Sequence, residues 1–213
     1  MELTKHAHAC VTLDKEGARV VVDPGTFTTN AAELLATADA VLITHEHFDH
    51  LDEPAVTTAL AERPELKVYG PAAVTDRWPG RADQVTAVAD GDRFEAGGFE
   101  VAVFGSLHAP IHRDIPLAAN VGFLIDGSVY HPGDSYYVPG VPVRTLLLPT
   151  SGPWTIVGEA VDFVRAVGPE TVVQIHETLL SEIGQQAMAR FISPKMLTSV
   201  PLTLVPVGET ISA

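Results

Sequence analysis

Cysteine is almost missing. Cys10 stands alone among 213 residues, so no internal disulfide can form and no zinc finger of paired thiolates can be built. Any bound metal therefore falls to histidine and carboxylate. Long apolar runs are missing too: the blocks at residues 40–43 and 146–148 are far shorter than the roughly 20 residues a membrane helix needs. The opening Met1-Glu2-Leu3-Thr4-Lys5-His6 has neither the basic start nor the apolar stretch of an export signal, so a cytoplasmic location and no membrane partner are expected. Basic residues are scarce. Thirteen Lys and Arg face 27 Asp and Glu, a net charge of −14, which repels polyanions and argues against nucleic acid as partner.

What is present suffices for a packed fold. With 46% hydrophobic and 19% charged residues, the chain is too apolar for disorder. Its length suits one domain over residues 1–213 better than two halves with marginal cores. Strand-like runs at 9–13 and 18–22 flank the turn-prone Asp14-Lys15-Glu16-Gly17 and read as a hairpin, and a second β-rich block covers 94–95, 99–104, 121–125 and 129–130. Helical patterns at 53–62, 71–77, 155–167 and 182–192 alternate with short apolar runs at 40–43, 66–69, 145–148 and 171–175, which read as buried strands. The pattern predicts an α/β layered sandwich: two sheets, with helices on the outer faces.

The nine histidines carry the functional signal. Thr44-His45-Glu46-His47-Phe48-Asp49-His50 directly follows a buried strand, and a chance His-x-His-x-Asp-His has odds on the order of one in a thousand for this composition. In an extended segment His45 and His47 face the same way and can grip one ion, while Asp49 and His50 turn toward a neighbouring one. Two sites need more ligands. His108, Asp134 and His176 each follow a predicted strand, where loops on one edge of a sheet pair could assemble a binuclear centre. Asp23, ahead of Pro24-Gly25, could accept an imidazole N–H and fix its tautomer. The proline-broken segment 109–116 reads as a pocket wall, with His112 and Arg113 as candidates to bind an anionic substrate or to donate a proton. Trp154 and His131 read mainly as packing groups.

These residues, with His8-Ala9-Cys10, Val21-Val22-Asp23-Pro24, residues 129–135, 148–152 and Gln174-Ile175-His176, resemble the metallo-β-lactamase-fold hydrolases. Within them the resemblance is to the branch of ascorbate-6-phosphate lactonase-like and other metal-dependent hydrolases. It runs nearly end to end. The resemblance implies an αββα sandwich of two mixed sheets with the metals at one edge. His45, His47 and His108 would hold one ion, Asp49, His50 and His176 the other, and Asp134 would bridge them. His8 matches an early Gly-His-Ala-like position, although His6-Ala7 replaces the glycine, and is expected beside the site or the substrate. Antibiotic-degrading members commonly place a cysteine near the position of Asp134, so that activity is disfavoured. The His45-Glu46-His47 order also departs from the flavodiiron pattern.

The expected activity is metal-dependent hydrolysis of a small ester, lactone, amide or phosphodiester. Two divalent ions would acidify a bridging water to hydroxide, and Asp49 would orient it. Zinc is the default, and manganese or iron also suit the donors. Two such ions less the ligand carboxylates and a hydroxide leave about one positive charge, which suits a small, anionic or carbonyl substrate. A non-catalytic metal-binding or ligand-sensing module and a nuclease of the same fold are the alternatives, the latter opposed by the net charge. A homo-oligomeric state stays open.

Overall fold

The computed structural model describes residues 1–213. In chain order the first part contains β1 (Glu2–Lys5), β2 (Val11–Lys15), β3 (Ala18–Val22), α1 (Ala31–Thr37), β4 (Ala40–Leu42), α2 (Glu53–Glu62), β5 (Lys67–Gly70), α3 (Ala72–Thr75) and β6 (Val85–Ala87). The second part contains β7 (Arg93–Ala96), β8 (Phe99–Phe104), β9 (Gly122–Ile125), β10 (Val129–His131), β11 (Thr145–Pro149), α4 (Val157–Val167), β12 (Thr171–Ile175), α5 (Glu182–Phe191), β13 (Leu202–Thr203) and β14 (Thr210–Ser212). Two seven-stranded sheets result, ordered β14-β1-β2-β3-β4-β5-β6 and β13-β12-β11-β10-β9-β8-β7. Both are mixed, with parallel pairing along β3-β4-β5-β6 and β10-β11-β12-β13.

Strand alternation builds three apolar layers. Leu13, Val20, Val22 and Leu42 of the first sheet meet Phe99, Val101, Phe123, Leu147 and Val173 of the second in one core between the sheets. The intervening Val21, Val41 and Val68 face outward against Leu34, Leu35, Val56 and Leu60 of α1 and α2. Leu146, Leu148 and Val172 likewise pack on Val161, Phe163 and Val164 of α4. Strands buried on both faces are the reason the sequence shows continuous apolar runs there. Truncating a residue such as Leu42 to Ala would cost about 2–5 kcal/mol. No helix is long and apolar enough to cross a membrane.

Helix α2 begins where its signals lie, with the Asp52 side chain accepting from the Ala55 N–H at 3.0 Å and Pro54 in the first turn. The structure also departs from the sequence pattern. The strand expected at 9–13 starts only at Val11, because the Cys10 N–H closes a turn onto the Ala7 carbonyl and His8 takes φ +61°. The helix expected at 71–77 is only Ala72–Thr75, and that at 155–167 starts at Val157. Helix α1 has no side-chain cap. β1, β6, β13 and β14 also escape the pattern, being short and partly exposed.

Candidate metal centre

Strand direction gathers the polar groups. β1 and β3 are both antiparallel to β2, and β4 is parallel to β3, so these three end on the same side. β8 and β10 are both antiparallel to β9, and β12 runs with β10 through β11. His8, Asp23 and the His45–His50 loop follow the first three strands, and His108, Asp134 and His176 follow the second three. The loops beyond the carboxyl ends of such strands are where open α/β sheets place their sites.

Two groups form there. His45, His47, His108 and Asp134 lie with their donor atoms within 4.8 Å of one another, as do His8, Asp49, His50 and His176. Asp134 stands between them: its Oδ1 is 3.1 Å from His50 Nε2, and its Oδ2 is 3.1 Å from His176 Nε2, 3.3 Å from His108 Nε2 and 3.9 Å from His45 Nε2. Despite these distances, His50 Nε2, His176 Nε2 and Asp134 Oδ1 are buried with no hydrogen-bond partner. Polar atoms are seldom buried in this way unless an ion or other ligand belongs among them. Imidazole and carboxylate donors with no thiolate fit zinc, manganese or iron.

Hydrogen bonds to the far ring nitrogens fix which nitrogen faces the centre. His50 donates from Nδ1 to Asp23 Oδ2 at 2.7 Å, and Asp23 also accepts from Thr44 N and Thr44 Oγ1, both at 2.7 Å. Because Thr44 Oγ1 spends its proton on Asp23, His45 Nδ1 must donate to that oxygen, at 3.0 Å. His108 Nδ1 donates to the Ala109 carbonyl at 2.6 Å. All three therefore turn an Nε2 lone pair inward. His47 presents Nδ1 instead, 3.1 Å from His45 Nε2.

The surrounding loops are held as firmly. A Cβ at Gly25 would run into the Asp49 carbonyl, and a Cβ at Gly133, where φ is +63°, would strike the Asn120 side chain and Thr44. Only glycine permits these approaches. Asn120 Nδ2 donates to the Pro132 carbonyl and its Oδ1 accepts from Asp134 N, at 3.0 and 2.9 Å. Trp154 donates from Nε1 to Asp134 Oδ2 at 3.1 Å. Behind His8, the buried Lys5 ammonium pairs with Glu177 Oε1 at 3.0 Å, and the same oxygen accepts from His8 N at 3.1 Å. His8, Asp23 and His176 all have left-handed backbone, with φ of +61°, +48° and +58°.

Electrostatics follow from this packing. Burial, reinforced by the neighbouring imidazoles, holds His45 well below the usual histidine range. Burial also disfavours charge on His50, but Asp134 and Asp23 outweigh it and raise His50 well above that range. The Asp134 carboxyl lies well below its ordinary value because His50 and His176 overcome its desolvation. Asp49 is likewise lowered against burial, by the neighbouring His176 imidazole and the hydrogen bond with His8. These carboxylates call for positive charge, a demand that divalent ions meet.

The structure thus brings together His45, His47, Asp49, His50, His108, Asp134 and His176, and adds His8, whose Nε2 is 3.1 Å from Asp49 Oδ2. Asp23 lies directly behind His50. His131 uses both ring nitrogens structurally, donating to the Ala9 carbonyl and accepting from Gly133 N. His112 and Arg113 are not brought in. Their side chains are 58% and 88% exposed and lie beside Asp114. Thr44, the first residue of the motif, was given no role by sequence reasoning, and Asn120, Lys5 and Glu177 escaped it, since no local spacing ties them to the motif.

Comparison with known proteins agrees with this architecture. A family model described as "Beta-lactamase superfamily domain" matches residues 2–176. Protein Rv0786c of Mycobacterium tuberculosis is 34% identical over 190 residues, covering 85% of this chain and 86% of that protein. A UPF0173 metal-dependent hydrolase of Methanoregula boonei is 30% identical over 230 residues, covering 99% and 97%. Among solved structures, the metallo hydrolase Igni18 of Ignicoccus hospitalis superposes with a TM-score of 0.74 at 19% identity, over 99% of this chain and 97% of that one.

Proposed function

This chain belongs to the β-lactamase superfamily and, within it, to the UPF0173 metal-dependent hydrolase family, and on that premise we propose that it is a binuclear hydrolase of a small carbonyl or phosphoryl substrate. The observation that carries the reading is the Asp134 carboxylate, with one oxygen toward His50 and the other toward His108 and His176. His45, His47 and His108 would hold one ion and Asp49, His50 and His176 the other, with Asp134 shared. Ions held there supply Lewis acidity and an acidified water.

The remaining roles belong to the chain. Asp49 lies 3.1 Å from His8 Nε2 and 3.5 Å from His176 Nε2, in the second group. It is placed to orient the attacking water by accepting a hydrogen bond from it. His8 steadies Asp49. Asp23, through His50, and Trp154, through Asp134, keep their partners aligned. Zinc is the proposed metal, with manganese and iron suited to the same donors, and the cytoplasm is the proposed compartment. A lactone is the first substrate to try, following the resemblance to lactonase-like hydrolases, ahead of esters, amides and phosphodiesters.

Elemental analysis of protein purified without chelator, paired with a screen of those four substrate classes, tests the proposal. About two ions per chain and turnover that a chelator abolishes are expected. One ion per chain after metal supplementation rejects the binuclear assignment. Two ions with no hydrolysis of any class would favour a metal-binding module.

A further inference from the structure

The mouth of the metal centre is apolar on both sides. On the side of the first group, Ile111, Ile115 and Leu117 line a shallow recess together with His47 and His108. All three are exposed, Ile115 at 49%. On the side of the second group, Phe27 stands edge-on to His8 with centroids 5.0 Å apart, and Phe48 stands edge-on to Phe27 at 5.6 Å. Phe48 is 63% exposed. Large apolar side chains scattered singly over a surface need no explanation, but a set that flanks one polar site on two sides does.

No lysine or arginine lines this recess. Arg113 points to solvent beside Asp114. Arg77 is held by Glu46 and Glu53 at 2.8 and 2.6 Å, and Lys5 is buried against Glu177. A site built for phosphate or carboxylate ordinarily aims an arginine fork or a free ammonium at it. Here the recess offers hydrocarbon, and the chain as a whole carries a net charge of −14.

From these two observations, and resting on the hydrolase reading above, we infer that the substrate is a neutral ester or lactone whose apolar acyl chain or ring substituent lies along the wall of Ile111, Ile115 and Leu117, with its carbonyl over the histidine groups. Selection by the loop after His108 is then made by its apolar side chains rather than by His112 and Arg113.

The test uses the full-length, metal-loaded protein. Values of kcat/KM are measured for p-nitrophenyl esters of straight-chain acids from acetate to octanoate and for γ-lactones from butyrolactone to decalactone, each relative to its rate with hydroxide. Bis-p-nitrophenyl phosphate represents the anionic class, and sedimentation at assay concentration reports the oligomeric state. The expected result is a rise of roughly two- to fourfold per methylene over the first several carbons, chiefly through KM. The double variant Ile111→Asn/Ile115→Asn should flatten that slope. Ile183→Asn, in a separate apolar groove with Phe191 and Met196, should preserve it. A flat slope, a preference for the phosphate diester, or a dimer that Ile115→Asn dissociates while the slope persists would each overturn the inference. If no substrate is turned over, the hydrolase reading fails. Calorimetry with straight-chain alkyl hydroxamates then decides the apolar wall alone: affinity rising with chain length upholds it, and constant affinity removes it.

Discussion

The two groups of histidines are held in different ways. In the first, support comes from an adjacent residue of the chain: His45 leans on Thr44 before it, and His108 on the Ala109 carbonyl after it. In the second, support crosses the molecule. His50 is pinned by Asp23 at the end of another strand, His8 by Glu177 at 169 positions' distance, and His176 N donates to the His8 carbonyl at 3.0 Å. Local supports form as soon as their loop does, whereas in the second group His50 needs β3 paired with β4, and His8 and His176 need the two sheets closed onto each other. Asp134 alone belongs to both.

That difference can be broken most completely at Asp134. Asp134→Ala should release both ions and abolish hydrolysis, read by elemental analysis and chelator-sensitive turnover. Retention of either ion at full occupancy would show that the groups do not share the carboxylate. Next in size is Lys5→Met, which leaves the Glu177 carboxylate without its buried cation. A loss of stability of about 3 kcal/mol is expected in urea denaturation, near the lower bound for breaking a buried pair because Glu177 is partly exposed. The double variant Lys5→Met/Glu177→Gln should recover much of it. An undiminished denaturation midpoint in the single variant would mean that the pair does not hold the sheets together there.

Asp23→Asn sharpens the comparison within the centre. It weakens the hydrogen bond that aligns His50 and should lower affinity at the second group roughly 10–100-fold, and at the first, which Asp23 reaches only through Thr44, by less. Titration with limiting metal should then show one tight and one weak ion. Equal weakening of both would indicate that the loop, rather than the imidazole, had moved. The smallest effect is at Cys10, beside the turn that carries His8. Burial pushes its thiol up to about 12, so at pH 8 the group is protonated and closed off. A thiol reagent should react with one cysteine per chain in denaturant and hardly at all without it. Faster native labelling in the Lys5→Met protein would report opening of this segment.

Much of the centre was legible because ligation imposes short spacing and strand-end placement. His45, His47, Asp49 and His50 fall within one loop, and His108, Asp134 and His176 each follow an apolar run that does form a strand. The braces were not legible. Lys5 with Glu177, and Asn120 with the loop ahead of Asp134, pair only after distant strands align. His112 and Arg113 show the limit of sequence proximity. Nearness in sequence to His108 says nothing about direction, and along this loop the apolar side chains line the recess while these two face water. The strand expected from residue 9 was displaced for a related reason, since the turn that presents His8 takes up Ala9 and Cys10.

The left-handed backbone at His8, Asp23 and His176 bears on how such a protein can lose its activity over generations. Most residues resist that conformation, but asparagine adopts it at least as readily as histidine and aspartate do. In the genetic code every histidine and aspartate codon becomes an asparagine codon by one change in its first base. At these three positions the commonest sort of accident therefore removes a ring or a charge from the centre while leaving the local chain path undisturbed. Drift along that route would yield chains that still fold and no longer hydrolyse, and inactive descendants of this architecture should be found carrying Asn at these positions more often than at His45 or His108.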